Sequence, residues 1–182
     1  MRHLTADELH AGLDHIREAP SDDGVVELIV RRPTLGEREV LDEGELTLDE
    51  GLAGDTWNIR PSRRTGDGSP HPDMQITLVN ARAIALLAQD RDRWALAGDQ
   101  LYVDLDIGHT NLPAGTRVAI GDAVVEITDQ PHTGCAKFSG HFGADAVRFV
   151  NTDAGSALRL RGANARVVTP GRVRVGDPVR KR

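Results

Sequence analysis

Cysteine and aromatic residues are scarce in this sequence of 182 residues: Cys135 is the single cysteine, and aromatic residues make up 3% of the chain. One cysteine cannot form an internal disulfide, and a thiol that stays free is typical of a reducing compartment. The N-terminal residues alternate charged and apolar side chains and lack the apolar segment of a secretory signal or membrane anchor. We therefore expect a cytoplasmic protein that does not bind a membrane.

Lysine is also rare, although the chain carries many charges. Of 22 basic residues only Lys137 and Lys181 are lysine, and the others are arginine. The 28 acidic residues give a net charge of −6, so the sequence does not favour broad electrostatic binding to nucleic acid. Lys137 lies two positions after the cysteine, where a compact ammonium group could be required, although chance retention explains it equally well.

Short strand patterns dominate the chain. Residues 24–31 form a β-branched run, residues 101–107 alternate apolar and polar side chains as in a strand with one wet face, and Gly121-Asp122 connects two strands by a tight turn. The basic segment 172–182 is typical of a solvated strand edge, where charge prevents pairing. Because closure hides strand edges, we predict a mainly β fold, a distorted barrel with a few short helices.

Three segments predict helices. Thr5-Ala-Asp-Glu8 is a capping box that opens an N-terminal amphipathic helix. Asn80 can cap a second helix that carries Trp94 towards the core and ends near Gly98, and residues 142–151 form a third. The length and the hydrophobic content of 39% suffice for one core but not for two, so we expect residues 1–182 to form a single domain with a helical extension over residues 1–20.

The segment around the cysteine carries the strongest chemical signal. In Gln130-Pro-His-Thr-Gly-Cys-Ala-Lys-Phe138 a strand end leads into a loop that presents Cys135 among polar groups. His132, when protonated, and Lys137 could both favour the thiolate, which is the nucleophilic and metal-binding form. The alternative is a small buried cysteine that packs as a hydrophobic residue.

Two other cysteine chemistries are possible from the residues present. His132, Cys135 and His141 could form a zinc site, but their spacing matches no common zinc module and no further cysteine is available. A cysteine hydrolase would require His109 or His132 together with Asp129 in space, which the sequence cannot decide.

Residues 56–72 form a long segment rich in arginine, glycine, serine and proline, which predicts a surface loop. Arg60, Arg63 and Arg64 in this loop could bind an anion, although a solvated arginine-rich loop is the simpler interpretation for any one of them. Since this loop and the cysteine loop both join strand ends, we expect the two loops to meet at one mouth of the barrel.

Three sequence elements together resemble the MOSC domain, a family named after the C-terminal part of molybdenum-cofactor sulfurases. They are Gly51-Leu-Ala-Gly-Asp55, then Gly98-Asp-Gln-Leu101 followed by Asn111-Leu112, and then Cys135. The resemblance extends over about residues 25–179, the expected core of the domain. The usual Gly-Glu-Asn-Leu of the family is Gly-Asp-Gln-Leu here, which retains an acid and an amide.

The resemblance implies a barrel-like fold and a pterin-based molybdenum cofactor of the molybdopterin type, with Cys135 as the metal ligand. It also implies reduction of N-hydroxylated compounds, which some members catalyse. We assign cofactor binding to residues in the matching motifs, in the cysteine loop and in the arginine loop. These residues are Gly54, Asp55, Asp99, Asn111, Thr133, Arg60, Arg63 and Arg64.

Our leading hypothesis is an oxidoreductase component that removes oxygen from a small N-hydroxylated substrate at an open coordination position of the metal. Cys135, Lys137 and His132 are its expected catalytic residues. The sequence has no visible flavin, haem or iron–sulfur ligand pattern, so a separate protein would donate the electrons. The alternatives are a non-catalytic carrier of cofactor or sulfur on Cys135, and a ligand-binding module that has lost the cofactor.

Overall fold

The computed structural model describes residues 2–182 and contains eleven strands and six short α-helices. Met1, in the expected extension, lies outside the described residues. The strands are β1 (Gly24–Arg31), β2 (Glu39–Leu41), β3 (Glu43–Thr47), β4 (Gly51–Leu52), β5 (Ile76–Asn80), β6 (Leu101–Asp104), β7 (Arg117–Ile120), β8 (Ala123–Ile127), β9 (Ala163–Thr169), β10 (Gly171–Arg174) and β11 (Pro178–Lys181). The α-helices are α1 (Ala6–Ala11), α2 (Leu13–Arg17), α3 (Ala81–Ala88), α4 (Ala136–Phe142), α5 (Ala144–Val150) and α6 (Asp153–Ala157).

Seven of the strands close into a barrel. They follow the order β11-β7-β8-β9-β5-β6-β1, and pairing of β1 with β11 completes the ring. The β5–β6 pair is parallel and the other pairs of the ring are antiparallel. β2 extends the sheet beyond β1, and β3, β4 and β10 form a separate small sheet. The prediction of a mainly β, MOSC-type distorted barrel is confirmed.

The C-terminal strand closes the barrel, so the prediction of a solvated edge over residues 172–182 is wrong for β11, whereas β10 is an edge strand of the small sheet with Arg172 and Arg174 exposed. In β11, Val179 pairs with Ile120 of β7 on one side and with Gly24 of β1 on the other. Val179 is buried in the barrel interior while the neighbouring Arg180 is exposed. The charges therefore occupy the outer face of a strand that is paired on both sides.

Apolar side chains form two cores, one inside the barrel and one between the barrel and the helices. Leu28 and Val30 of β1, together with Val79 and Tyr102, point to the helical side, whereas Ile29 points into the barrel. Tyr102 is fully buried, stacks on Trp94 and donates a hydrogen bond of 2.9 Å to the Trp94 carbonyl. The predicted wet face of residues 101–107 is therefore wrong at Tyr102, which the helices cover, whereas Asp104 and Asp106 on the same face are half-buried.

The helices begin where predicted but are shorter. The Thr5–Glu8 capping box is present, and Asn80 caps α3 by accepting from the N–H groups of Arg82 and Ala83. α3 ends at Ala88, and Trp94 lies in a separate 3₁₀ helix, Arg91–Ala97. Two further 3₁₀ helices, Thr56–Ile59 and Pro72–Met74, flank the long arginine loop.

The cysteine loop is shorter than the sequence suggested, because α4 begins directly after Cys135. Cys135 occupies the N-cap position of this helix, and Phe138 and Phe142 bury its inner face. The predicted helix over residues 142–151 corresponds to α5, which Gly143 separates from α4. None of the helices in residues 2–182 is long and apolar enough to cross a membrane.

Candidate functional site

Two adjoining cavities lie between the arginine loop and the cysteine loop. The first, here called the arginine cavity, has a volume of about 330 Å³ and is lined by Arg63, Arg64, Trp57 and His71 among others. The second, the cysteine cavity, has a volume of about 350 Å³. The residues that line both cavities are Arg32, Arg60, Thr77 and His132.

Cys135 lines the cysteine cavity, and the residue is exposed. Arg60 from the arginine loop lines the same cavity, and Arg64 Nη1 donates a hydrogen bond of 3.2 Å to Gln130 Oε1 in the cysteine loop. The expectation that the two loops meet at one mouth is therefore confirmed. The remaining lining residues are Arg32, Leu35, Arg38, Thr77, Leu96, Ala97, Gly98, His132, Lys137, Phe138, His141 and Arg161.

A buried ion pair forms one wall of the site. Arg32 donates from Nε and Nη2 to the two oxygens of Asp55, at 2.8 and 2.7 Å, and its backbone N–H donates to the same carboxylate at 2.9 Å. Arg32 Nη1 also donates to the Gly98 carbonyl. Asp55 is thus fully engaged by a guanidinium, and this pairing holds Arg32 against both cavities.

A second buried ion pair connects Asp99 with α4. Arg161 Nη1 donates to Asp99 Oδ2 at 2.7 Å, and Nη2 donates to the Ala97 carbonyl at 3.0 Å. The Arg161 guanidinium also lies over the Phe138 ring, 4.8 Å from its centroid. Burial raises the pKa of Asp99, and the charge of Arg161 opposes that rise. Arg161 therefore joins the carboxylate of the Gly-Asp-Gln-Leu motif to the helix that follows Cys135.

His132 lies between the cavities and faces Asp99. Its Nδ1 is 3.5 Å from Asp99 Oδ1, and both atoms are buried without another hydrogen-bond partner. The side chain is 16% exposed although Nδ1 is inaccessible, so another part of the residue faces the cavities. Gly162 permits this approach, since a Cβ at its position would be 2.9 Å from His132 Nδ1.

The charge state of His132 differs from the sequence expectation. Burial lowers the pKa of His132 well below its usual value, and the nearby Arg161, Arg32 and Arg64 lower it further. The ring is neutral at physiological pH, so His132 cannot stabilise a Cys135 thiolate as a cation. In the neutral form one ring nitrogen carries the proton and the other is a proton acceptor, and Nδ1 lies 3.5 Å from Asp99 Oδ1 without a hydrogen bond between them.

Besides the exposed Lys137, two cations of the cysteine cavity have no carboxylate partner within residues 2–182. They are Arg38, whose Nε is buried without a partner, and Arg60, which is half-buried. Burial lowers the pKa of Arg60, and repulsion from Arg32 and Arg38 contributes to the shift while Asp55 opposes it. Two guanidinium groups thus repel Arg60 and one carboxylate opposes them, which favours binding of an anion.

Several residues of the sequence prediction lie outside the two cavities. Asn111 donates to the carbonyls of Ser21 and Asp106 and accepts from Lys181, so its assignment to the cofactor site is corrected to a loop-fixing role. Gly54 is not among the described residues that line either cavity.

Gly54 packs instead against the Arg31 side chain, and its N–H donates to Glu50. The Asp55 carboxylate accepts from Arg32 and from the backbone N–H of Trp57, and both of these residues line the arginine cavity. Thr133 lines a smaller cavity of about 130 Å³ behind the cysteine loop.

The alternative cysteine chemistries find little geometric support. His109 and Asp129 line the smaller cavity, which Cys135 does not line, and of the residues named for a hydrolase only His132 lines both that cavity and the cysteine cavity. His132 and His141 line the cysteine cavity with Cys135, yet residues 2–182 contain no group of three or more His, Cys, Asp and Glu side chains arranged to hold a metal ion.

Sequence reasoning missed Arg32, Arg38 and Arg161. Arg32 follows a strand directly before Pro33, a position that resembles an ordinary loop start. Arg161 lies between apolar residues and glycine, where a buried charge requires a partner. That signal could have identified Arg161, whereas nothing local distinguishes Arg38 from the other arginines.

Comparison with known proteins agrees with the barrel. The crystal structure of the YuaD protein from Bacillus subtilis matches with a TM-score of 0.62 and 16% identity over 87% of this chain and 94% of that chain. The crystal structure of YiiM from Escherichia coli matches with a TM-score of 0.55 and 20% identity over 87% of this chain and 69% of that chain. At these identities the likeness shows the fold alone.

No curated protein sequence matches the chain. The MOSC domain family matches residues 65–180, which include Asp99, His132, Cys135 and Arg161. The matched segment covers more than half of this chain. The chain therefore belongs to the MOSC domain family, which is associated with molybdenum-cofactor binding.

Proposed function

We propose that this protein binds a pterin-type molybdenum cofactor through Cys135 and reduces small N-hydroxylated substrates as an oxidoreductase component. One observation carries the proposal: the cysteine thiol and several arginines without carboxylate partners line one continuous space. A soft thiolate ligand at one end and cations for a phosphate at the other are what such a cofactor requires.

The residues present fit this cofactor. Cys135 would supply the protein ligand to the metal, and Arg60, Arg63 and Arg64 would hold the phosphate. The half-buried Arg60 favours this assignment, because its charge has no carboxylate partner among the described residues. When bound, the cofactor supplies the two electrons that remove oxygen from the substrate.

The reaction also needs protons, which the chain must deliver. Reduction of an N–OH group consumes two electrons and two protons, breaks the N–O bond, and yields N–H and water. His132, which faces Asp99, is suited to relay a proton: its neutral ring can take a proton from water, and the resulting imidazolium, whose pKa burial lowers, can give that proton to the leaving oxygen. Lys137, on the same cavity, is a cation that can stabilise negative charge developing at the leaving oxygen.

The two buried ion pairs act as positioning devices in this proposal. Asp55 holds Arg32, and Asp99 holds Arg161, so two guanidiniums are fixed before any ligand binds. Electrons would come from a separate donor protein, as expected from the sequence.

The test is the molybdenum content of protein purified from a molybdate-supplied host. Wild type should retain molybdenum close to one atom per chain, and Cys135→Ala should lose most of it. Ser139→Ala, in the same helix, is the control. Cys135→Ser replaces a soft donor with a hard, mostly protonated hydroxyl and should bind the metal poorly at nearly unchanged volume.

Reduction of N-hydroxybenzamidine by an artificial electron donor is the second readout. Wild type should be active and Cys135→Ala inactive, with matching circular dichroism spectra. Wild type without molybdenum after cofactor supply, or full activity in Cys135→Ala, would contradict the proposal. A metal-free protein that carries a persulfide on Cys135 would favour the carrier alternative, which the exposed thiol makes chemically feasible.

A further inference from the structure

We propose that the substrates of this site carry a carboxylate or a similar anionic group, which Arg38 binds in the cysteine cavity. The inference rests on the proposed function and names the substrate class. A carboxylate suits a guanidinium because two parallel N–H donors match its two oxygens.

The charges around the site leave Arg38 without a countercharge. Arg32 is paired with Asp55, and Arg161 is paired with Asp99. No carboxylate within residues 2–182 forms an ion pair with Arg38, and its Nε is buried without an acceptor. A guanidinium held in this way costs free energy that an anion would offset.

Contacts with the backbone hold the Arg38 guanidinium in place at the cavity wall. Its Nη1 donates a hydrogen bond of 2.7 Å to the Glu37 carbonyl. The guanidinium rests against Gly98, where an added Cβ would be 3.0 Å from Nη2, and Gly98 has a φ of +83°. A side chain at position 98 would crowd the Arg38 guanidinium, and the positive φ also favours glycine there. The Gly98 backbone therefore packs against the guanidinium at the cavity wall.

The position of Arg38 separates it from Arg63 and Arg64, two of the three cations proposed for the cofactor phosphate. Arg63 and Arg64 line the arginine cavity and not the cysteine cavity, Arg38 and Lys137 line the cysteine cavity and not the arginine cavity, and Arg60 lines both. A phosphate held by Arg63 and Arg64 at the far side of Arg60 would therefore leave the Arg38 charge unmatched. The substrate is the remaining source of an anion at this place.

The rest of the cysteine cavity fits an apolar substrate body. Leu35, Leu96 and Phe138 line it together with Arg38, and Leu35 is 78% exposed at the rim. Such a wall offers apolar contact beside the Arg38 guanidinium. We infer an aromatic or aliphatic N-hydroxylated compound with a carboxylate at its far end.

Binding can be tested without turnover by titration calorimetry on the purified protein, with 4-methylbenzoate and the neutral 4-methylbenzamide as probes. Wild type should bind the benzoate at least about tenfold more tightly, since a hydrogen-bonded charge pair is lost with the amide. Arg38→Gln should remove that preference, and Arg38→Lys should restore only part of it. Arg172→Gln, an exposed arginine on β10, should leave it intact.

Turnover provides the second arm, with N-hydroxybenzamidine and its 4-carboxy derivative compared. The carboxylate should lower KM at least about tenfold in wild type, and Arg38→Gln should raise KM for that substrate alone while kcat stays within about twofold. Equal affinity of wild type for both probes overturns the inference. Loss of molybdenum from Arg38→Gln with an unchanged benzoate preference also overturns it, because Arg38 would then serve the cofactor.

A protein that reduces neither substrate but binds benzoate through Arg38 would contradict the proposed function and leave the anion site standing. Reduction of both substrates with equal KM would support the proposed function and contradict the anion site at Arg38.

Discussion

At the residue scale, the arginines near the cavities differ in whether a carboxylate faces them. Arg32 and Arg161 are almost fully buried and each is paired with an aspartate. Arg38 and Arg60 are less buried and face the cavity without such a partner. Arg32 and Arg161, which are paired with aspartates, therefore form part of the cavity wall. Arg38 and Arg60, which have no such partner, are candidates for binding an anion.

Removal of the Asp99 charge should be costly for the fold. Asp99→Asn preserves the side-chain volume but leaves the Arg161 guanidinium, 9% exposed, without its countercharge. We expect the free energy of unfolding to fall by about 3–5 kcal/mol, because an unpaired buried charge is strongly unfavourable. Urea denaturation monitored by circular dichroism measures the change.

Glu43→Gln is the matched control for Asp99→Asn. Glu43 pairs with Arg174 at 3.1 Å on an exposed surface, where solvent screens the interaction. This control should cost no more than about 1 kcal/mol. A cost of similar size for both variants would mean that Arg161 gains water or another acceptor when Asp99 is neutral.

At the element scale, the N-terminal helix α1 depends on its first turn. Thr5 accepts from the Glu8 N–H, and Glu8 accepts from the Thr5 N–H at 2.8 Å and from Arg2 at 2.6 and 2.7 Å. The hydrogen bond from Arg2 and that from Thr5 lower the pKa of Glu8 from its ordinary value of 4.5 to about 2. The ionised form is therefore favoured in the folded state.

This shift predicts a pH-dependent effect of Glu8→Gln. A carboxylate whose pKa is lower in the folded state stabilises fully above the unfolded value and loses that contribution as the pH falls through the folded value. The variant should have a lower Tm than wild type at pH 7, and the difference should shrink between about pH 4.5 and about pH 2. Thermal unfolding at several pH values measures it.

Asp7→Asn is the control, since Asp7 is in the same helical turn and no ion pair of the described residues includes it. Its Tm difference from wild type should be smaller at pH 7. A Tm difference between Glu8→Gln and wild type that stays constant down to the lowest pH measured would contradict the prediction. That result would show that Glu8 stabilises the helix through its capping hydrogen bonds and not through its charge.

Elements with a local signal could be predicted from the sequence. The capping box at Thr5 and the Asn80 cap lie within one helical turn, and the Gly121-Asp122 hairpin needs only a turn residue with φ of +55° at Gly121. Burial by distant elements could not be predicted. Tyr102 is on a strand face that helices cover, and Val179 lies in a strand that two others flank.

The residues of the candidate site could likewise be predicted only in part from the sequence. Cys135, His132 and Arg60 could be identified because the loops that carry them have unusual composition. Arg38 could not, because its role depends on Gly98 meeting it across the fold, and for Arg161 the sequence signals a buried charge but not its partner Asp99. Pairing of side chains over long sequence distances is set by the closed barrel and not by neighbouring residues.

At the scale of the whole molecule, the barrel and the helical layer share strands. β1, β5 and β6 contribute side chains to both cores, so neither core can form without the strands of the other. α4 begins directly after Cys135 and carries Phe138 in the helical core. The candidate site therefore lies at the junction of the barrel and the helical layer. We propose on this basis that residues 1–182 unfold as one unit.

Val179→Ala tests that proposal at the barrel seam. Val179 is fully buried between β1 and β7, so we expect a loss of about 1–3 kcal/mol from the removed contacts and the cavity that remains. If the molecule is one cooperative unit, the fluorescence of Trp94 in the helical layer, measured in a Trp57→Phe background, and the far-ultraviolet circular dichroism should shift together in urea. Arg180→Ala, the exposed neighbour on the same strand, should shift both by no more than about 0.5 kcal/mol. A circular dichroism transition that moves while the Trp94 signal stays at its wild-type midpoint would mean that the helical layer unfolds separately, and the cysteine site would then lie between two independently stable parts.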